Sequence, residues 1–197
     1  MFEEIEQYFS PSVLKIEKVF PFHINYLVNP DKDIAFVLIN KCASSTLKHT
    51  LPKYGFFIID HIPNVSNFYA IIRDPVSRWI SGLNEFIFAY GIKDFEKIER
   101  HLESSKFIFD HHAFPQHLNL DKVQNITLIK FEDDLLESLK DVCNDDIVLV
   151  NKNMSWEKKE KDCRDMCKKW FEKYSRNNEN FMNLYNNDFL LHEKAGL

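Results

Sequence analysis

The sequence predicts an α/β fold in which helices flank a central, mostly parallel sheet, giving three layers. Residues 34–39 form an unbroken apolar run, which is typical of a strand buried on both faces of a parallel sheet. Beyond it, apolar runs alternate with helical patterns in the order strand, helix, strand, strand, helix, strand, helix. This alternation favours βαβ units over an all-helical or all-strand architecture.

Each element has its own local signal. A polar segment follows the first strand, and Pro52 and Gly55 end the helix that begins at about Ser45. Pro75 suits the first turn of a later helix, with Asp74 as its N-cap. Further strands are predicted at residues 56–59, 68–72, 126–131 and 147–150. Helices are predicted at residues 75–90, 94–104, 133–142 and 163–174, the last from apolar side chains at intervals of three and four.

Composition bounds the kind of protein. The chain has 197 residues, so we expect a single domain over residues 1–197 with its core at about 34–190. A net charge of −5 argues against general affinity for nucleic acid or anionic membrane. The four cysteines match neither a disulfide framework nor a zinc ribbon, so we expect no metal. With no signal peptide and no transmembrane run, a soluble cytoplasmic protein is expected.

The strongest local feature is the anion loop, residues 40–46, with the sequence Asn-Lys-Cys-Ala-Ser-Ser-Thr. A helix N-terminus offers backbone N–H groups and a positive dipole, and Lys41 adds a charge that can reach the same anion. The loop contains no glycine and no Gly-Lys-Ser/Thr triplet, which disfavours nucleoside triphosphate and dinucleotide binding. The alternative is that Ser44, Ser45 and Thr46 merely cap a helix.

A second anchor lies at residues 71–81. Arg73 follows a predicted strand, where its guanidinium can fork onto a phosphate, and Ser81 lies about two helical turns further on. The alternative is a surface arginine paired with Asp74.

In this order the two segments resemble the sulfotransferases that use 3'-phosphoadenosine 5'-phosphosulfate (PAPS), especially carbohydrate sulfotransferases of the heparan 2-O and chondroitin type. The resemblance implies a P-loop-like fold, a carbohydrate hydroxyl as acceptor, and transfer without a metal. It implies that the 5'-phosphosulfate is held by Lys41, Cys42, Ala43, Ser44, Ser45 and Thr46. Arg73 and Ser81 would hold the 3'-phosphate. Apart from the resemblance, Lys152 is a candidate to close over the donor, because it lies in an Asn-Lys-Asn turn after the last predicted strand.

More distal segments also look similar to this family. They are residues 112–116 (His-Ala-Phe-Pro-Gln), 129–133 (Ile-Lys-Phe-Glu-Asp) and 184–189 (Leu-Tyr-Asn-Asn-Asp-Phe). The sequence departs from the family pattern at Asn40, where proline is usual, and at Ala43, where glycine is common.

A base for the acceptor proton is the remaining requirement. His61 follows a predicted strand between the two anchors, where the resemblance places a histidine base, and imidazole titrates near neutrality. Asp60 either orients His61 or replaces it as the base, and the alternative is that His61 is a loop histidine with no role. His111 and His112 compete with His61 as the base or line the acceptor site, and the alternative for His112 is that it simply packs. Glu85 and Glu132 are weaker candidates for the base.

Two other functions stay open at this point. One is a small-molecule kinase of P-loop type, which the missing Gly-Lys-Ser/Thr disfavours. The other is a binding module that keeps the site for PAPS, or for its desulfated product PAP, without turnover.

Overall fold

The structure is a computed structural model that describes residues 24–132, 134–150 and 158–195. The chain forms two compact units. The sheet unit comprises the described parts of residues 23–74, 116–155 and 188–197. The helical unit comprises residues 75–115 and the described part of 156–187. The expectation of one domain over residues 1–197 stays a prediction.

All strands of the described residues belong to the sheet unit. They are β1 (Asn25–Asn29), β2 (Ile34–Leu38), β3 (Phe57–Ile59), β4 (Asn67–Ile72) and β5 (Ile126–Lys130). They form one sheet in the order β3-β1-β2-β4-β5. β2 pairs with β4, and β4 with β5, in parallel, whereas β1 is antiparallel to both β2 and β3. β3 therefore runs in the same direction as β2, and only β1 opposes the other strands.

This topology confirms the α/β class and makes the sheet mixed. All five residues of β2 are buried, as expected for a strand covered on both faces. The core of the sheet unit combines fully buried side chains of β2 with those of neighbouring strands and helices, among them Leu27, Phe36, Leu51, Ala70, Ile72 and Leu139. The helices complete an arrangement compatible with three layers.

The described residues contain six α-helices. They are α1 (Ser44–Thr50), α2 (Pro75–Ala89), α3 (Phe95–Glu103), α4 (Leu135–Cys143), α5 (Lys158–Trp170) and α6 (Glu179–Lys194). Asp94 caps α3 by accepting from the Lys97 amide (3.1 Å), and Asp134 caps α4 through the Glu137 amide (3.2 Å). In the described part of the chain, no helix has the length and apolar character needed to cross a membrane.

The observed strands differ from the predicted ones in two places. β1 was not predicted, because Asn25 and Asn29 bound its apolar run and leave it very short. The strand predicted at 147–150 does not form. There the amide of Val148 donates to the Tyr54 hydroxyl (2.9 Å) and that of Val150 donates to Thr50 Oγ1 (3.0 Å). These amides are bonded to side chains, so they do not join a strand ladder.

The helical unit is organised around Trp79 of α2, which is fully buried. Its ring meets Phe181 edge-on at 5.7 Å and Phe171 at 6.0 Å, and its indole N–H donates to the Phe107 carbonyl (2.8 Å). The predicted apolar face of the C-terminal helix is confirmed, with four buried members: Cys163, Cys167, Trp170 and Phe171.

Candidate functional site

The anion loop follows β2 with a backbone conformation that is unusual for residues other than glycine. Lys41 (φ 66°) and Ala43 (φ 58°) both lie in the left-handed region, which costs a residue with a Cβ roughly 1 kcal/mol. Between them, the Cys42 amide donates to the Ile39 carbonyl (3.2 Å). Ala43 thus adopts a conformation that glycine tolerates better, so the departure from glycine noted in the sequence carries a cost in backbone strain.

The loop delivers the chain to the N-terminus of α1. Ala43 is the N-cap residue, and no side chain makes a capping hydrogen bond there. Ser44 is buried, Thr46 is half-buried and Ser45 is exposed. The alternative in which these three hydroxyl residues merely cap the helix is therefore wrong.

Arg73 follows β4 directly and turns towards the anion loop. Its Nη1 donates to the Lys41 carbonyl (3.2 Å), and its guanidinium lies over the Phe131 ring, 4.8 Å from the centroid. Because β2 and β4 are adjacent and parallel, their carboxyl ends meet at one edge of the sheet. The structure therefore brings together two of the sequence-predicted anchors.

The side chain of Gln116 links the anion loop to Arg73 through hydrogen bonds. This side chain is fully buried, and its Nε2 donates to the Arg73 carbonyl (2.8 Å). Its Oε1 accepts from the Arg73 amide (3.2 Å) and from the Cys42 thiol (3.3 Å). The side chain of Cys42 is buried against Gln116 and belongs to the scaffold of the loop, and the expectation that Cys42 binds the donor stays a prediction.

Asp188 holds Gln116 in place. This carboxylate is fully buried, and its Oδ2 accepts from the Gln116 amide (2.7 Å). Its Oδ1 accepts from the His117 amide (2.9 Å) and lies 2.8 Å from His117 Nδ1. The two amide donors and the nearby imidazole supply the hydrogen bonds that a buried carboxylate requires.

Glu132 occupies the corner after β5. Its Oε1 accepts from the Asp74 amide (3.0 Å), and its Oε2 lies 3.1 Å from His192 Nε2. These contacts give Glu132 a positioning role at the end of β4. Asp133, the next residue of the same segment, lies outside the described residues.

Asp60 and His61 leave the sheet at the end of β3. Because β3 and β2 run in the same direction, their carboxyl ends lie at the same edge of the sheet, and this edge also carries the anion loop. β1 lies between them, so β3 is two strand spacings, or about 10 Å, from β2. His61 Nδ1 lies 3.2 Å from Asp60 Oδ1, and the two side chains are 74% and 80% exposed. The pair is thus positioned at the predicted edge but open to solvent.

The other predicted residues belong to the helical unit or lie outside the described residues. Ser81 is buried on α2, and Glu85 is half-buried one turn later. His111 and His112 form a short turn with Asp110. The expectation that Ser81 shares a phosphate with Arg73 stays a prediction. Lys152 lies outside the described residues.

Sequence reasoning gave Gln116 and Asp188 no role. Both belong to segments that resembled the sulfotransferase family, residues 112–116 and 184–189. That resemblance was the available signal. It did not show that the two side chains join each other and Arg73.

Comparison of the chain with known protein families, with curated proteins and with solved structures gives no match. A function must therefore be inferred from the residues themselves.

Proposed function

We propose that the protein is a sulfotransferase that moves a sulfuryl group from PAPS to a hydroxyl acceptor, a carbohydrate in the simplest case, and releases PAP. The observation that supports this most is the convergence of the anion loop and Arg73 at one edge of parallel strands β2 and β4. The uncapped N-terminus of α1 lies at the same loop and adds backbone donors suited to an anion.

In this proposal the anion loop holds the 5'-phosphosulfate and Arg73 holds the 3'-phosphate. Lys41 places its ammonium group near the bridging oxygen between phosphorus and sulfur. The backbone N–H groups from Ser44 to Thr46 donate hydrogen bonds to the phosphate oxygens. Stacking on Phe131 limits the motion of the Arg73 guanidinium, so less side-chain entropy is lost on binding.

The transfer step balances without a metal. The acceptor oxygen attacks sulfur as the bond between sulfur and the 5'-phosphate oxygen breaks. That oxygen leaves with the electron pair, and its charge is stabilised by Lys41. The acceptor proton passes to His61, with Asp60 holding the imidazolium that forms. The products are the sulfated acceptor and PAP.

One observation favours a second candidate, a PAP- or PAPS-binding module without turnover. The side chains of Asp60 and His61 are 80% and 74% exposed, so neither lies in the dry, fixed environment in which a general base is most effective. The two candidates share the donor site and differ in the base. A kinase gains no support from the residues at the anion loop.

Calorimetric titration of PAP into the purified protein tests the donor site, with ATP and ADP as competitors for specificity. We expect micromolar affinity for PAP and weaker binding of ATP. Arg73→Ala should weaken PAP binding at least tenfold, while its backbone keeps the hydrogen bonds to Gln116. Arg176→Ala is the matched control, because Arg176 is exposed and forms an ion pair with exposed Glu172 one turn away. Equal PAP affinity in both variants, or no PAP binding by folded protein, would refute the donor site.

Transfer of labelled sulfate from PAPS to a panel of carbohydrates separates the two candidates. If His61 is the base, His61→Ala should retain PAP affinity and lose about 10²–10⁴-fold in rate. PAP binding with no product from any acceptor supports the binding module. Product formation that is unchanged in His61→Ala assigns the base to another residue.

A further inference from the structure

The helical unit contains a cluster of metal-ligand types that the proposed transfer does not use. Asp110, His111 and His112 each offer one ligand atom, and these atoms lie within 4.8 Å of one another. Asp110 is buried at 4% exposure, His112 is half-buried and His111 is exposed. The carboxylate of Asp110 is therefore the buried end of the cluster, and His111 is the end that is open to solvent.

The separation of Asp110 and His112 suits two ligands of one ion, and the exposed His111 side chain would have to rotate towards them, because the three ligand atoms span up to 4.8 Å. Asp110 Oδ2 and His112 Nδ1 lie 2.8 Å apart, and the rings of His111 and His112 face each other with centroids 4.0 Å apart. Bonds of about 2.0–2.2 Å to zinc place neighbouring ligand atoms roughly 3 Å from each other. An ion would replace the proton on the Asp110–His112 hydrogen bond, since metal ligands must be deprotonated.

The charge of Asp110 gives a second argument. A buried carboxylate is stable when it is paired with a cation or coordinates a metal. Asp110 is such a carboxylate, at 4% exposure, and the imidazole of His112 lies 2.8 Å from its Oδ2. A divalent ion shared with the two imidazoles would supply the positive charge that this buried group requires.

The turn that carries the cluster is held rigidly. Asp110 Oδ1 accepts from the His112 amide (2.8 Å), and the Tyr185 hydroxyl donates to the Ala113 carbonyl. On the other side α2 approaches so closely that a Cβ on Gly82 would lie 2.6 Å from the His112 carbonyl oxygen. Ligands on such a fixed backbone lose little freedom when an ion binds.

We propose that Asp110, His111 and His112 form a site for one divalent transition-metal ion of the zinc class. Two imidazoles and one carboxylate favour zinc or cobalt over magnesium or calcium, which prefer oxygen ligands. Three protein ligands leave a position for water or an exogenous ligand. This site was not predicted from the sequence, where only the four cysteines were considered as metal ligands and the resemblance implied transfer without a metal.

Metal-free protein titrated with Co²⁺ and Zn²⁺, without nucleotide, tests this site. We expect visible Co²⁺ absorption that develops with one equivalent and is abolished by Zn²⁺. His111→Ala and Asp110→Asn should each weaken Zn²⁺ binding at least tenfold in competition with a chromophoric chelator. His111 is exposed and Asn can still cap the turn, so both variants should fold, as circular dichroism will check.

His61→Ala is the matched control for metal affinity, because it removes the imidazole of the chain's other adjacent Asp–His pair. It should bind Zn²⁺ as the wild type does, within about twofold. The site is refuted if the folded protein binds no Zn²⁺ below about millimolar concentration, or if His111→Ala and Asp110→Asn bind like the control. Because no nucleotide is present, this result is independent of the PAP titration.

Discussion

Gln116→Leu tests whether one buried amide holds the two anchors together. The substitution keeps the approximate volume of the side chain and removes its hydrogen bonds. The Arg73 amide and carbonyl both lose their partner in Gln116, at 3.2 and 2.8 Å, and the Cys42 thiol loses its acceptor at 3.3 Å. Polar backbone groups at the end of β4 are then left against an apolar side chain.

The cost follows from those groups. A buried polar group that loses its partner costs about 1–3 kcal/mol, and two such backbone groups are affected. The thiol is a weak donor and adds little. Because Arg73 is only half-buried, water can reach part of this region, so we expect the lower half of the range. Gln116→Leu should therefore lower the free energy of unfolding by about 2–4 kcal/mol.

Urea unfolding followed by circular dichroism measures this difference by linear extrapolation. Gln124→Leu is the matched control, because Gln124 is exposed and the chemical change is identical. The control should stay within about 0.5 kcal/mol of the wild type. If Gln116→Leu also stays within that margin, Gln116 does not hold Arg73 and the anion loop together.

Three further outcomes follow from the same structure. Ala43→Gly should raise the free energy of unfolding by up to about 1 kcal/mol in the same urea assay, because φ at this position is 58°; a loss of stability would contradict the left-handed conformation. Gly82→Ala should lower the unfolding midpoint, since the new Cβ would lie 2.6 Å from the His112 carbonyl oxygen; an unchanged midpoint would show that α2 does not pack against this turn. Desolvation raises the pKa of Cys143 from 9.0 to about 12, and the negative charge of Asp145 adds to this effect. The positive charge of Lys32 opposes it but is the smaller influence. The protonated thiol therefore contributes stability that is complete below pH 9 and is lost as the pH rises towards 12, and alkylation of Cys143 at pH 8.5, followed by mass spectrometry, should proceed only as fast as unfolding.

Local sequence patterns were sufficient for most elements. The apolar run of β2, the Asp94 cap of α3 and the proline at the start of α2 are each encoded within a few neighbouring residues. Such signals depend on side-chain period and on backbone donors one turn away, so they can be interpreted without knowing the fold. The same holds for the order of the anion loop and the arginine segment along the chain.

Pairing over long distances was decided by the tertiary structure. β1 joins the sheet between β3 and β2, and residues 147–150 stay outside it because their amides reach side chains of residues 50 and 54. Short apolar runs carry no information about which partner they meet.

The candidate site divides in the same way. The sequence by itself determined the residue types that suit an anion, Lys41 and Arg73, and their positions after two strands. Only the tertiary structure decided that Gln116, 43 residues after Arg73, bonds to its backbone, and that Asp188 holds Gln116 across 72 residues. The physical reason is that a buried polar side chain must find its partner wherever the folded chain brings one, and sequence separation does not limit that choice.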